Sequence, residues 1–201
     1  MDASAAMVEF ARSREEHPPP RGIRYEVCAA DAVCADVVGV TGTCDTVTAV
    51  YLLPYASTWD GLAGMCTAAR RALHESTGRF VAVVLNPDFA TDPHWYRPYG
   101  MSLTVTGSGV EGATGHLTAW VGQDVLELDF FTWSRAAHEQ ALREAGFTEV
   151  RWSRPGVSAR GLHRFGEAFW RPYLQRPHAL VVEARTSPPA GRAATNPRPA
   201  S

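Results

Sequence analysis

The run from Cys44 through Asp45-Thr46-Val47-Thr48-Ala49-Val50-Tyr51-Leu52-Leu53-Pro54-Tyr55 to Ala56 constrains this chain more than any other stretch. It is apolar and β-branched over the length of a strand, opens on Asp45, and ends in a Leu-Leu-x-Tyr turn, which reads as a buried parallel strand feeding a ligand loop. Beyond it, Leu62, Met65, Cys66, Ala69 and Leu73 recur at the spacing of one helix face. Gly78 then leads into Arg79-Phe80-Val81-Ala82-Val83-Val84-Leu85, a second buried strand. Strand, helix and strand make one βαβ unit, and that unit implies a parallel sheet.

On either side the pattern extends this α/β reading. Ser4 is placed to cap a helix whose Met7, Phe10 and Ala11 would face the sheet, ending before His17-Pro18-Pro19-Pro20. A strand is expected at Arg24 to Cys28. Between about residues 90 and 130, short alternating pieces broken by Gly107, Gly109, Gly112 and Gly122 predict an inserted antiparallel β cap. Ser134 starts a helix with Ala137, Ala141, Leu142 and Ala145 on one face and Gly146 just past its end. Phe147 to Trp152 reads as a strand, Gly161 to Tyr173 as a short helix with Leu162, Phe165 and Phe169 inward, and Ala179 to Ala184 as the last strand. One domain over 1–185 and a disordered Pro, Ala, Arg and Ser tail over 186–201 complete the expected organisation.

Composition narrows the partners. With 201 residues and 45% hydrophobic content the chain can bury a full core. A net charge of −2 gives no electrostatic basis for nucleic acid or membrane binding, and no apolar run approaches a membrane span, so a cytoplasmic protein is expected. Every basic side chain is arginine, which together with the Ala, Gly and Pro content carries the imprint of a GC-rich bacterial genome. Cys28, Cys34, Cys44 and Cys66 show neither C-x-x-C pairing nor zinc-ligand spacing, so they read as buried thiols, with a Cys28–Cys34 redox pair as the other possibility and no metal expected.

The residues from Asp45 to Val84 resemble the fourth strand, helix and fifth strand of the class I S-adenosylmethionine-dependent methyltransferases, a pattern commonly written FDxVxAxxLLHY…RxLKPGGRFV. Met1-Asp2-Ala3-Ser4-Ala5-Ala6-Met7 is similar to that family's D-x-S-x-x-M element, and Phe131 to Val150, through Ala145-Gly146-Phe147, to its A-G-F segment. The flavour is that of toxoflavin-synthase-like small-molecule methyltransferases. The resemblance implies a Rossmann-like α/β sheet, S-adenosyl-L-methionine as cofactor and a small-molecule methyl acceptor. The family's first strand and Gly-rich loop have no counterpart here, since Gly39-Val40-Thr41-Gly42 precedes the wrong strand, so a chain truncated at its amino terminus, lacking that first strand and loop, is expected. Two functions follow: methyl transfer, or a non-catalytic remnant or binding subunit. An unpaired sheet edge would favour a homodimer.

The resemblance also assigns candidate residues. Asp2 and Ala3 would meet the cofactor ribose, or Asp2 is a solvated carboxylate. Asp31 and Ala32 would meet the adenine, although an alignment from Tyr25-Glu26-Val27 puts Ala29 there instead. Val50 and Tyr51 would lie against the methionine portion, with Tyr55 and Asn86 toward the acceptor, and Pro54 replaces a common His. Trp95, Tyr96 and Tyr99 either form a wall for a planar substrate or pin the cap to the sheet. No catalytic base is singled out between His94 and His116.

Overall fold

A computed structural model describes residues 1–15, 22–31, 33–107 and 109–186. In chain order the elements are α1 (Ala5–Glu15), α2 (Cys34–Val37), β1 (Thr46–Val50), α3 (Trp59–Ala72), β2 (Arg79–Leu85), β3 (Met101–Val105), β4 (Ala113–Val121), β5 (Asp124–Thr132), α4 (Arg135–Glu144), β6 (Glu149–Ser153), α5 (Ala159–Phe165), α6 (Glu167–Gln175) and β7 (Ala179–Arg185). Four strands form one sheet in the order β1-β2-β7-β6, with β1 and β2 parallel and both contacts of β7 antiparallel. The remaining three form a separate antiparallel sheet, β3-β4-β5. The βαβ unit and the inserted β cap therefore stand where the apolar pattern puts them. None of the helices described is long and apolar enough to cross a membrane.

The main core lies on one face of the four-stranded sheet. Ala49, Phe80, Ala82, Val84, Val182 and Ala184 point to it from the strands, met by Leu62, Cys66 and Ala69 of α3 and by Ala137, Ala141 and Leu142 of α4. Each helix starts on a hydroxyl cap: the Gly61 N–H donates to Thr58 Oγ1 over 3.1 Å and the Ala137 N–H to Ser134 Oγ over 3.1 Å. The cap has its own core of Phe89, Ala90, Tyr96, Leu103 and Phe130. Gly115 of β4 lets Phe130 lie across the strand, because a Cβ there would sit 2.1 Å from the Phe130 ring.

Several expectations are corrected. Ser4 does cap α1, accepting from the Met7 N–H over 3.3 Å, but Met7 and Phe10 are 55% and 60% exposed and Val8 is the buried residue of that helix. The expected strand at Arg24 to Cys28 is reduced to one parallel bridge between Val27 and Asp2. The single helix expected over Gly161 to Tyr173 is two, because Gly166 takes a left-handed φ of 77° between α5 and α6. Leu162 and Phe165 are exposed, while Phe165, Phe169 and Trp170 pack on one another. Of the cysteines Cys34 and Cys66 are buried, whereas Cys28 and Cys44 are half-buried, and all four are free thiols. Burial pushes both the Cys34 and Cys66 thiols up to about 12, which keeps them protonated and inert. Ala32 and the tail beyond Thr186 lie outside the described residues.

Candidate functional site

The site is built at the carboxyl end of β1, where Tyr51 leaves the strand with a φ of 54°, the one left-handed non-glycine residue among those described. Such a backbone costs about 1 to 3 kcal/mol and persists only where surroundings over-determine it. Two contacts do so: the Tyr51 N–H donates to the Val83 carbonyl over 2.8 Å, and the Tyr51 hydroxyl lies 2.8 Å from His178 Nε2. The two rings also stack, with centroids 6.1 Å apart and planes 18° from parallel. A short 3₁₀ turn, Leu53–Tyr55, follows with Pro54 in its first turn.

His178 is positioned by the chain entering β7. Asn86, at the end of β2, donates its N–H to the His178 carbonyl over 2.8 Å and its Nδ2 to the Pro177 carbonyl over 2.7 Å. The other ring nitrogen of His178, Nδ1, lies 2.9 Å from the Tyr173 hydroxyl. Burial drives the imidazole down to about 4 and Tyr173 up to about 12, and raises Tyr51 as well. All three groups are therefore neutral at neutral pH.

Above this row lies a cavity of about 180 Å³ between sheet and cap, lined by Tyr51, Tyr55, Leu103, Leu117, Phe130 and His178 among others. Its walls are almost wholly apolar, and Asp129 is the charged residue on its rim, held by His116 Nδ1 at 2.9 Å. Beyond the Asn86-Pro87-Asp88 loop a polar recess of about 460 Å³ is lined by Arg135, Arg154 and Arg176 with Asp88.

The structure thus brings Tyr51, Tyr55 and the end of β2 together. Asp2 and Asp31 stand exposed on the amino-terminal segment, where Asp2 Oδ1 accepts the Ser4 N–H over 2.8 Å and Asp31 Oδ1 the Val33 N–H over 3.1 Å. Ala3 and Val50 are exposed too. Tyr96 is fully buried, donating its hydroxyl to the Arg176 carbonyl and accepting the Ala90 N–H. Tyr99 donates to the Phe169 carbonyl amid Phe169, Trp170 and Tyr173, and Trp95 packs against the cap core. These contacts tie Tyr96 and Tyr99 to α6 and to the turn that follows it. His178 and Tyr173 were not singled out from sequence; the pairing with Tyr51 spans 127 positions, and the only local sign is a polar Arg176-Pro177-His178 turn before an apolar strand.

The Rossmann-like α/β arrangement of sheet and helices is a fold shared with solved structures described as S-adenosylmethionine-dependent methyltransferases. The chain is similar to a solved S-adenosylmethionine-dependent methyltransferase from Mesorhizobium loti, at 19% identity and a TM-score of 0.59 over 91% of this chain and 77% of that one. A putative S-adenosylmethionine-dependent methyltransferase from Listeria monocytogenes matches at 19% identity and a TM-score of 0.55, over 90% and 76% of the two chains. The CcbJ methyltransferase from Streptomyces caelestis matches at 16% identity and a TM-score of 0.51, over 90% and 76%. No protein-family model and no curated protein sequence matches the chain.

Proposed function

We propose that this chain takes S-adenosylmethionine and transfers its methyl group to a neutral small-molecule acceptor. The observation that carries this reading is the apolar cavity at the carboxyl end of β1, beside the Tyr51 turn, in a fold shared with proteins described as S-adenosylmethionine-dependent methyltransferases. This reading asks for open acceptors on the amino-terminal segment and at the end of β1. The Asp2 and Asp31 carboxylates are open to solvent and each keeps an oxygen beyond its bond to a neighbouring N–H. Because Tyr51 faces β2 through its N–H, the N–H and C=O of Val50 face the other way, toward the free edge of β1. Asp2 with Ala3 would hold the ribose, Asp31 the adenine edge, and the Val50 carbonyl with Tyr51 the methionine portion. When bound, the group supplies a methyl already activated on a sulfonium. The chain's own work is to align the acceptor and to exclude water, which the apolar walls of the cavity do. On this reading the protein acts in a bacterial cytoplasm.

Calorimetric titration of the purified chain with S-adenosylhomocysteine tests it. Micromolar binding supports methyl transfer. A folded protein that takes no S-adenosylhomocysteine is instead a non-catalytic binding protein that keeps the cap and its cavity.

The outer edge of β1, which pairs with no strand among the described residues, has its own partner on this reading, a second copy of the chain. Below the Val50 carbonyl assigned to the methionine portion, Thr46 and Thr48 turn their N–H and C=O groups outward. Such a row is self-complementary when two copies pair antiparallel.

A further inference from the structure

A neutral imidazole has one N–H and one lone pair, so the two hydroxyls on His178 must play opposite parts. If Nδ1 carries the hydrogen, it donates to Tyr173 Oη and Nε2 accepts from the Tyr51 hydroxyl, whose remaining lone pair then faces outward as an acceptor. If Nε2 carries it, every bond in the row reverses and Tyr51 becomes a donor toward its surroundings. The row Tyr51–His178–Tyr173, at 2.8 and 2.9 Å, therefore has two states that interconvert by moving protons along it, with no charge left on any member. Burial of His178, which disfavours the imidazolium, favours this concerted exchange over a charged intermediate.

The row borders the apolar cavity through Tyr51 and His178. At about 180 Å³ the space is close to the ~150 Å³ apolar cavity that takes up a benzene ring in another protein. Its walls include the rings of Phe130 and Tyr55 and of the stacked Tyr51–His178 pair. Among the described residues no arginine lines it, and Asp129, the one charged residue on its rim, opposes a ligand that enters as an anion.

We propose that this cavity binds a neutral, single-ring phenol and that the Tyr51–His178–Tyr173 row both recognises its hydroxyl and carries its proton away. Within the row, the phenol O–H passes its proton to Tyr51 Oη as the Tyr51 proton moves to His178 Nε2. The Nδ1 proton moves to Tyr173 Oη, and the Tyr173 proton leaves to water. The phenol oxygen would take the methyl as its proton departs, so that no full negative charge stands beside Asp129; this step rests on the methyl-transfer reading, while the phenol site itself does not. Tyr51 is the catalytic residue because it touches the substrate, and His178 and Tyr173 act through it.

The test uses the full chain without any methyl donor and two probes of the same size, p-cresol and toluene, followed by ligand-observed NMR titration. The expected result is p-cresol binding at least tenfold tighter than toluene, with that preference lost in Tyr51→Phe, whose ring still fills its place. The ring ¹⁵N shifts of His178 are expected to stay neutral from pH 6 to 8 and to move toward the Nδ1–H tautomer on adding p-cresol. Tyr173→Phe, which leaves Tyr51 untouched, is expected to weaken that tautomer shift. Equal affinity for the two probes, no binding of either at millimolar concentration, or unaltered p-cresol preference in Tyr51→Phe would each overturn the proposal. A chain that shows the p-cresol preference yet takes no S-adenosylhomocysteine keeps the phenol site and loses only the methyl-transfer reading.

Discussion

The indole Nε1 of Trp133 donates to the carbonyl oxygen of Ala56 over 2.9 Å, joining the entrance of α4 to the turn that follows Tyr51, and both residues are buried. The edge of the Trp133 ring also meets Trp59 at the start of α3. This one bond ties the two helices of the core face to the loop that shapes the site.

Trp133→Phe keeps much of the apolar bulk and deletes the donor, leaving the Ala56 carbonyl buried without it. The expected cost is about 1 to 3 kcal/mol. Thermal unfolding followed by circular dichroism reads it as a lowered midpoint, and an unchanged midpoint would show that water replaces the indole.

Gly115→Ala places a methyl group 2.1 Å from the Phe130 ring, so either the strand or the ring must move. Overpacking of this kind costs about 1 to 3 kcal/mol. Because the clash is with one side chain, adding Phe130→Leu is expected to recover part of the loss in a double-mutant cycle. Additive losses in urea unfolding would place the strain in the backbone instead.

Acid is expected to destabilise the fold before its carboxylates titrate. An unfolded histidine takes its proton near pH 6.5, whereas His178 folded takes it only near 4, so between those values the unfolded chain binds more protons and stability rises with pH. For His178 alone the loss from pH 7 to pH 4 is about 3 kcal/mol. His138, buried and donating Nδ1 to the Ser134 carbonyl at 2.9 Å, is lowered as well and acts in the same direction. The exposed His116, raised by its hydrogen bond to Asp129, acts in the opposite one. Urea midpoints measured from pH 7 down to pH 4 should fall throughout, and His178→Phe should flatten the slope; a flat wild-type profile would contradict the burial of both imidazoles.

Thr48→Pro removes an N–H that faces the free edge of β1 and no hydrogen bond to β2. If a second copy pairs there, sedimentation velocity will show a concentration-dependent dimer in the wild type and a monomer in Thr48→Pro. A wild type monomeric at high concentration would rule out that partner.

How much of this was legible in the sequence depended on the range of the interaction that decides each residue. The β1-α3-β2 unit was legible because apolar residues repeat every few positions along one face of α3 and along β2, although β1, at the edge of the sheet, buries only Ala49 rather than both of its faces. The caps at Ser4 and Ser134 were legible for the same reason, since a hydroxyl and an N–H three residues on are all they require. The inward face of α1 was misread because that helix buries only Val8, too little to leave a period. Tyr51 and Tyr55 were accessible from the turn they occupy, but His178 is defined by what it touches. Its ring joins the Tyr173 hydroxyl, five positions before it, to the Tyr51 hydroxyl 127 positions away, and nothing beside it in the chain signals the second partner.

The position of β7 carries a consequence for assembly. This strand, the last in chain order among the described residues, lies in the interior of the sheet between β2 and β6. As the chain leaves the ribosome, β2 waits roughly a hundred residues with an open edge, through the synthesis of the cap, α4 and the α5–α6 pair, before its neighbour exists. His178 immediately precedes that strand, so the floor of the cavity closes in the same event that closes the sheet. The fold and its chemistry are completed together, late, by one short segment.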